Sequence, residues 1–248
     1  MPKSQSSASS IENDSVAPIV TMHLWGIPTR TIPIALSRMV SQRRAIAQTH
    51  GLRFAKLLGT GSGNTFSIRE ADPHHWGVLA VWNSEADARV FEHGAIVAAW
   101  DKDATERAEF VMRPLSTRGS WSRREPFTPV ATAPWDGPVA SITRARIRLR
   151  KMNTFRRAVP PIVTAVARAP GMRLTTGIGE APVGLQGTFS IWDSSARLNA
   201  FAYETTAHAQ AIADTDRVGW YSEELFARFA LLRASGTFSH NSMSDVTG

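Results

Sequence analysis

Three groups of side chains in this chain have the types and spacing to do chemistry. The first is His208, in the stretch FAYETTAHAQAI. Leu198, Phe201, Thr205, His208 and Ile212 recur at spacings of three and four, which places them on one face of a helix. A histidine in such a stripe needs a partner, because an unpaired buried imidazole is costly. That partner is either another side chain, such as a carboxylate, or a bound iron. The second group is TRARIRLR, where Arg144, Arg146, Arg148 and Arg150 alternate with Ala145, Ile147 and Leu149 at the period of a strand. The small and apolar set is expected to face helices, leaving the arginines toward the protein interior or its mouth. There they grip carboxylates through paired hydrogen bonds, or else serve as solvated charges that guard a strand edge. The third group follows Gly219: Trp220, Tyr221 and Phe226, with Arg228 close behind. Aromatic walls of this kind suit a long apolar ligand. The other reading is ordinary core before the last strand, with Arg228 in an ion pair to Glu223 or Glu224.

Several chemistries are excluded. The chain has 248 residues and no cysteine, so disulfides, thiolate metal sites, iron–sulfur clusters and a cysteine nucleophile are ruled out. That composition fits a reducing cytoplasm. The GTGSG run at Gly59–Gly63 lacks the Lys-Ser/Thr of a phosphate loop and precedes a strand, so it reads as a long hairpin loop. His74 and His75 read as solvent-facing residues of a polar loop. The net charge of +7 is carried by arginines scattered through predicted elements, without stacking aromatics interleaved along one strand. No nucleic-acid partner is expected.

The elements that must position these residues come in two copies. Ile19–Trp25 reads as a strand, Ile32–His50 as a helix, and a second strand starts at Gly51-Leu52-Arg53. Trp76–Trp82 is a third strand, Glu85–Trp100 a helix capped by Asn83-Ser84, and Phe110–Leu115 a closing strand. The order repeats with Val139–Leu149, a helix over Phe155–Arg168, strands from Gly171-Met172-Arg173 and over Gly187–Trp192, a helix to Asp214, and Phe229–Arg233. Trp82 and Phe91 correspond to Trp192 and Phe201, whereas His208 corresponds to Ala98. The histidine is therefore no requirement of the repeated unit. Each copy reads βαββαβ, and two such units cover their open faces by packing sheet on sheet. The expected fold is α+β: tandem ferredoxin-like repeats over 18–122 and 138–239, closing into a single-chain barrel. Residues 123–137 read as a Pro-rich linker, and 1–17 and 240–248 as disordered tails.

LLGTGSGNTFSIREADPHHWGVLAVW, GPVASITRARIRLRKM, GIGEAP, TFSIWDSSARLNAFAYETTAHAQAI and GWYSEELFARFALLRASGTF together resemble the spheroidene monooxygenase family. The resemblance covers nearly all of the chain from Ile19 to Phe238. It implies a haem-containing monooxygenase acting on an acyclic carotenoid. Barrels of this kind also include chlorite dismutases, dye-decolorising peroxidases, aldoxime dehydratases and cofactor-free monooxygenases, so the fold alone does not name the reaction. What the resemblance implies for the site is His208 as the axial ligand of haem b iron, with Arg144 and Arg146 on the propionates. Phe201, Trp220, Tyr221 and Arg228 would then line the pocket of an apolar substrate. With no flavin or nicotinamide fingerprint in the chain, electrons are expected from an external donor such as ferredoxin, and the basic surface is expected to dock that acidic donor or to make a peripheral membrane contact. The alternatives are a haem barrel dehydratase or peroxidase of secondary metabolism, a haem- or lipid-binding carrier, and a cofactor-free monooxygenase acting on an activated aromatic.

Overall fold

The strand that opens the fold, β1 (Ile19–Gly26), is buried along its whole length. Its even residues Val20, Met22 and Leu24 join one apolar cluster, and Ile19 and Trp25 join another. A strand with two apolar faces must lie between two layers. In the computed structural model, which describes residues 18–62, 71–130, 134–151, 154, 169–180, 185–204 and 218–246, the two layers are a barrel interior and a helical coat. After β1 come α1 (Ile32–Ala47), β2 (Leu52–Gly61), β3 (Ala71–Trp82), α2 (Glu85–Glu92), α3 (Ala95–Asp101) and β4 (Glu106–Gly119). The second half contributes β5 (Val139–Ile147), β6 (Met172–Gly179), β7 (Leu185–Trp192), α4 (Ser195–Glu204), β8 (Tyr221–Phe238) and the short β9 (Asn241–Ser242).

The strands run in the order β4-β1-β3-β2-β6-β7-β5-β8, and β4 pairs again with β8, so the sheet closes on itself. The expected α+β, ferredoxin-like barrel is the observed one. Its interior is packed with side chains from both halves, including the Phe110–Phe189 edge contact at 5.2 Å. Closure removes free edges from the eight main strands.

The β4–β8 seam is reciprocal. After β4 the chain turns through Ser122 and Arg123 at φ 56° and 60°, and after β8 through Ser239 and His240 at 50° and 66°. Such left-handed pairs make tight hairpin turns. Each turn is held by the glutamate that opens the other strand. Glu106 accepts from the backbone N–H groups of Ser239 and His240, both at 3.1 Å, and Glu223 accepts from that of Arg123 at 2.7 Å. Gly119 and Gly236 sit at matching points, φ 89° and 83°, where a Cβ would lie about 2 Å from the carbonyls of Glu224 and Arg107. Both positions require glycine.

Several boundaries differ from the sequence expectation. The helix expected over Glu85–Trp100 is two helices, broken at His93-Gly94. Ser84 caps the first of them, accepting from the Asp87 N–H at 3.2 Å. β8 begins at Tyr221, so the aromatic stretch expected to be a turn lies at and within the start of a long strand. Residues 240–246 are no disordered tail: β9 pairs with the end of β8, and Met243 and Val246 are buried in the barrel core. Within the expected linker, Phe127 is buried and stands edge-on to Phe229 at 4.9 Å. The expected tail at 1–17, the helix at 155–168 and His208 lie outside the described residues.

Candidate functional site

Register assigns the candidates on β5 and β8 to faces. Across β5 and β7, Val139 faces Trp192, Ser141 faces Ser190, and Thr143 faces Thr188. Across β5 and β8, Ser141 faces Arg228 and Thr143 faces Phe226. These residues share the outer, helix-side face of the second sheet, because Val139 and Trp192 pack with Leu198 and Phe201 of α4. The intervening residues Ala140, Ile142, Phe189, Ala227 and Phe229 belong to the interior.

Arg144 is on the interior face, at the mouth of the barrel, as the alternation suggested, and is only 2% exposed. Its guanidinium is already engaged. It donates to Glu223 and, at 3.4 Å, to Glu180, and it lies 5.3 Å from the Trp121 ring centre. Lys56 and the Trp121 indole also bind Glu180. Burial would raise the Glu223 carboxyl. The Arg123 N–H and the Arg144 guanidinium outweigh it and hold the group down at about 2. Arg146 is exposed. The β5 strand thus separates Arg144 from α4, the helix that leads toward position 208.

Phe201 is buried and stacked on Trp192 at 5.2 Å, as Phe91 packs on Trp82 at 4.9 Å. That pairing is common to both halves, so Phe201 is packing and not a distinctive pocket wall. Trp220 is 4% exposed, with its indole N–H 3.3 Å from Thr154 Oγ1. Tyr221 and Phe226 are half-buried. Arg228 makes no ion pair with Glu223 or Glu224. It is on the outer face and donates to Asn199 of α4 at 2.6 Å.

The two halves differ sharply on this face. In the first, His23 faces Val78 on β3 and Glu109 on β4, the places taken by Thr143, Thr188 and Phe226 in the second. The first half fills the layer with rings in contact: Trp76, Trp100, Trp25, His23, Phe91 and Trp82 form an unbroken series. His23 is fully buried and stays neutral; burial, then the charges of Arg107 and Arg233, push it down to about 3. Glu109 is pushed up to about 7 by burial and by the neighbouring Glu92, against Arg233 and Arg107. In the second half two of these positions carry threonine and the third carries Phe226. Thr143 is exposed although its strand lies between β7 and β8, and Ser141 and Ser190 bond each other at 2.8 Å. Among the described residues, Thr143 is thus a β-branched side chain left exposed in mid-sheet on the helix side.

Two other features compete for attention. His75 is no solvent-facing loop residue: it belongs to β3 and its two ring nitrogens contact Asp72 and Glu106, each at 2.6 Å. Burial would lower its pKa, but hydrogen bonds and charge from Glu106 and Asp72 raise it, and the ring ties Asp72 to the glutamate that holds the C-terminal turn. A cavity of about 450 Å³ at the β2–β6 seam is lined by Thr60, Asp72, Thr175, Thr176 and Phe238. Its hydroxyls and carboxylate make it a poor match for an apolar ligand. Among the described residues no cluster of His, Asp or Glu could hold a metal ion.

No family model matches the chain. It is 36% identical over 225 residues to the spheroidene monooxygenase of Rhodobacter capsulatus, covering 89% of this chain and 93% of that one. It is 39% identical over 190 residues to the enzyme of the same name from Rubrivivax gelatinosus, covering 76% and 72%. The chain belongs to the spheroidene monooxygenase family. Among solved structures it is similar to aldoxime dehydratase bound to butyraldoxime, with a TM-score of 0.62 at 9% identity over 95% of this chain and 87% of that one. That likeness establishes the barrel for this member of the spheroidene monooxygenase family. The sequence relationship supports a monooxygenase. Among the described residues no helix is long and apolar enough to cross a membrane.

Sequence reasoning missed His23 and Glu109. The signal that could have found them is the duplication itself, which aligns His23 with Thr143 and marks where the halves diverge.

Proposed function

We propose that this chain is a haem-dependent monooxygenase that oxygenates an apolar, carotenoid-like substrate on the outer face of its second sheet, with electrons from an external donor. The observation that carries the reading is Thr143, exposed on the helix side with Thr188 beside it, at the position where the first half buries His23.

The donor set suits haem. With no cysteine in the chain, a neutral imidazole is the natural iron ligand, and His208 follows four residues after the end of α4. Arg228 lies on the same face as Thr143, is held by the neutral Asn199, and can take a propionate. Arg144, facing the other way and occupied by two carboxylates, is replaced by Arg228 as the proposed propionate partner. Bound haem supplies oxygen activation. The chain's own contribution is to orient the cofactor through Arg228 and Asn199, and to exclude water with Phe226 and the α4 layer. Tyr221 and Phe226 would guide the apolar substrate at this end of β8.

Titrating the purified full chain with hemin tests this. A Soret band that saturates at one haem per chain is the expected result. A protein that stays colourless at every hemin concentration contradicts it.

A further inference from the structure

The barrel end next to the proposed site carries a dense set of cations. Arg146 of β5 lies opposite Glu223, and Arg118 of β4 lies opposite Phe226. The Arg148 N–H bonds the Trp220 carbonyl at 2.9 Å, and the Ser120 N–H bonds the Glu224 carbonyl at 2.7 Å, which brings the turn with Arg123 and Arg124 to the same place. Arg150 follows in the short turn after β5. Arg118, Arg123, Arg124, Arg146, Arg148 and Arg150 are all exposed there. The carboxylates at this end are largely spoken for: Glu180 and Glu223 by Arg144, Lys56 and the turn, and Glu224 by Arg118. Glu125 is the exposed acid of the same stretch. Half-buried Tyr221 and Phe226 are set among the guanidinium groups, with Arg118 5.3 Å from the Phe226 ring centre.

We infer that this collar, organised around Trp220 and the start of β8, docks on the surface of an anionic lipid bilayer and so opens the second-sheet site toward the phase that holds an apolar substrate. The choice of a bilayer as partner rests on the proposed apolar substrate. The charge argument is independent of it. Guanidinium groups match phosphodiester oxygens through paired hydrogen bonds. Clusters of four to eight basic residues bind anionic lipid, and aromatic rings favour the headgroup level. The rival basic face is on α1, where exposed Leu36 and Val40 lie near Arg43 and Arg44. That face belongs to the coat of the first half and is remote in the fold from the second sheet's outer face.

Sedimentation of the full chain with vesicles tests the inference without cofactor or turnover. The protein should sediment with vesicles containing phosphatidylglycerol, remain free with pure phosphatidylcholine, and be released by salt. Removing three collar charges in the variant Arg123→Asn/Arg124→Ser/Arg150→Ser should weaken binding by roughly a hundredfold, about fivefold per residue. All three side chains are exposed, and Asn tolerates the left-handed turn, so an unchanged melting curve serves as the folding control. The variant Arg43→Ser/Arg44→Ser should bind like the parent. Absence of anionic-vesicle binding overturns the inference, as does a loss that follows the α1 variant. Retention of an acidic redox protein by a chain that ignores vesicles also overturns it, and assigns the collar to a protein partner. Vesicle binding by a chain that takes up no hemin would leave the surface standing and sink only the catalytic reading.

Discussion

Arg144→Ala is expected to lower the thermal midpoint at neutral pH by roughly 6–12 °C, the equivalent of about 3 kcal/mol in a chain of this size. The side chain is 2% exposed and is the cation between Glu223 and Glu180. Deleting it leaves two carboxylates facing each other in a poorly hydrated mouth, and the orphaned charge costs more than the lost contact. Lys56 still holds Glu180, which keeps the effect at the lower end of the range for breaking a buried pair. The pH dependence has a definite sign. Glu223 is held down at about 2, so its stabilising contribution is complete above the ordinary carboxylate range and is lost as pH falls toward 2. The deficit of the variant should therefore be largest near neutrality and shrink in acid. Thermal melts from pH 7 down to pH 3 read both outcomes. An unchanged midpoint with loss of hemin binding would return Arg144 to the cofactor.

Thr143→Trp should do the opposite. An indole at this exposed position re-creates in the second half the filled layer that His23 and Trp25 make in the first. Hemin affinity should fall by roughly 10–100-fold, the scale of overpacking a site by a large side chain. The apo protein should melt at the same temperature or higher, because Thr143 is exposed and the added ring finds Phe226 and Thr188 beside it. A hemin titration paired with a melt separates this from simple misfolding. Full hemin affinity in Thr143→Trp would move the site off this face.

These two residues also show what was legible in the sequence. The alternation around Arg144 gave its face, because side-chain period in a strand is a local property. Its partners could not be read, since Glu180 and Glu223 lie 36 and 79 positions away and meet it only through barrel closure. The same holds for His75, whose clamp depends on Glu106 from another strand. β8 was expected to begin at Phe229, which left Ser222, Glu223 and Glu224 outside the strand. They are strand because Glu223 caps a turn of the other half and Glu224 pairs with Arg118. The duplication was visible in matched Gly-Leu-Arg and Trp segments, and it gave the barrel. The functional asymmetry was visible only in part. Ala98 opposite His208 pointed to the second half, but the exposed Thr143 needed the register of β5 with β7 and β8. Arg228 shows the limit most plainly: two nearby glutamates suggested an ion pair, whereas their odd separation in β8 sends Glu223 and Arg228 to opposite faces, and Glu224 pairs with Arg118.

The most direct test of the account is the absorbance spectrum of His208→Ala beside that of the parent chain, both purified from cells supplied with a haem precursor. The account predicts a Soret band in the parent and its loss in the variant, with both proteins melting alike after haem removal. An undiminished and unshifted Soret band in His208→Ala would contradict it.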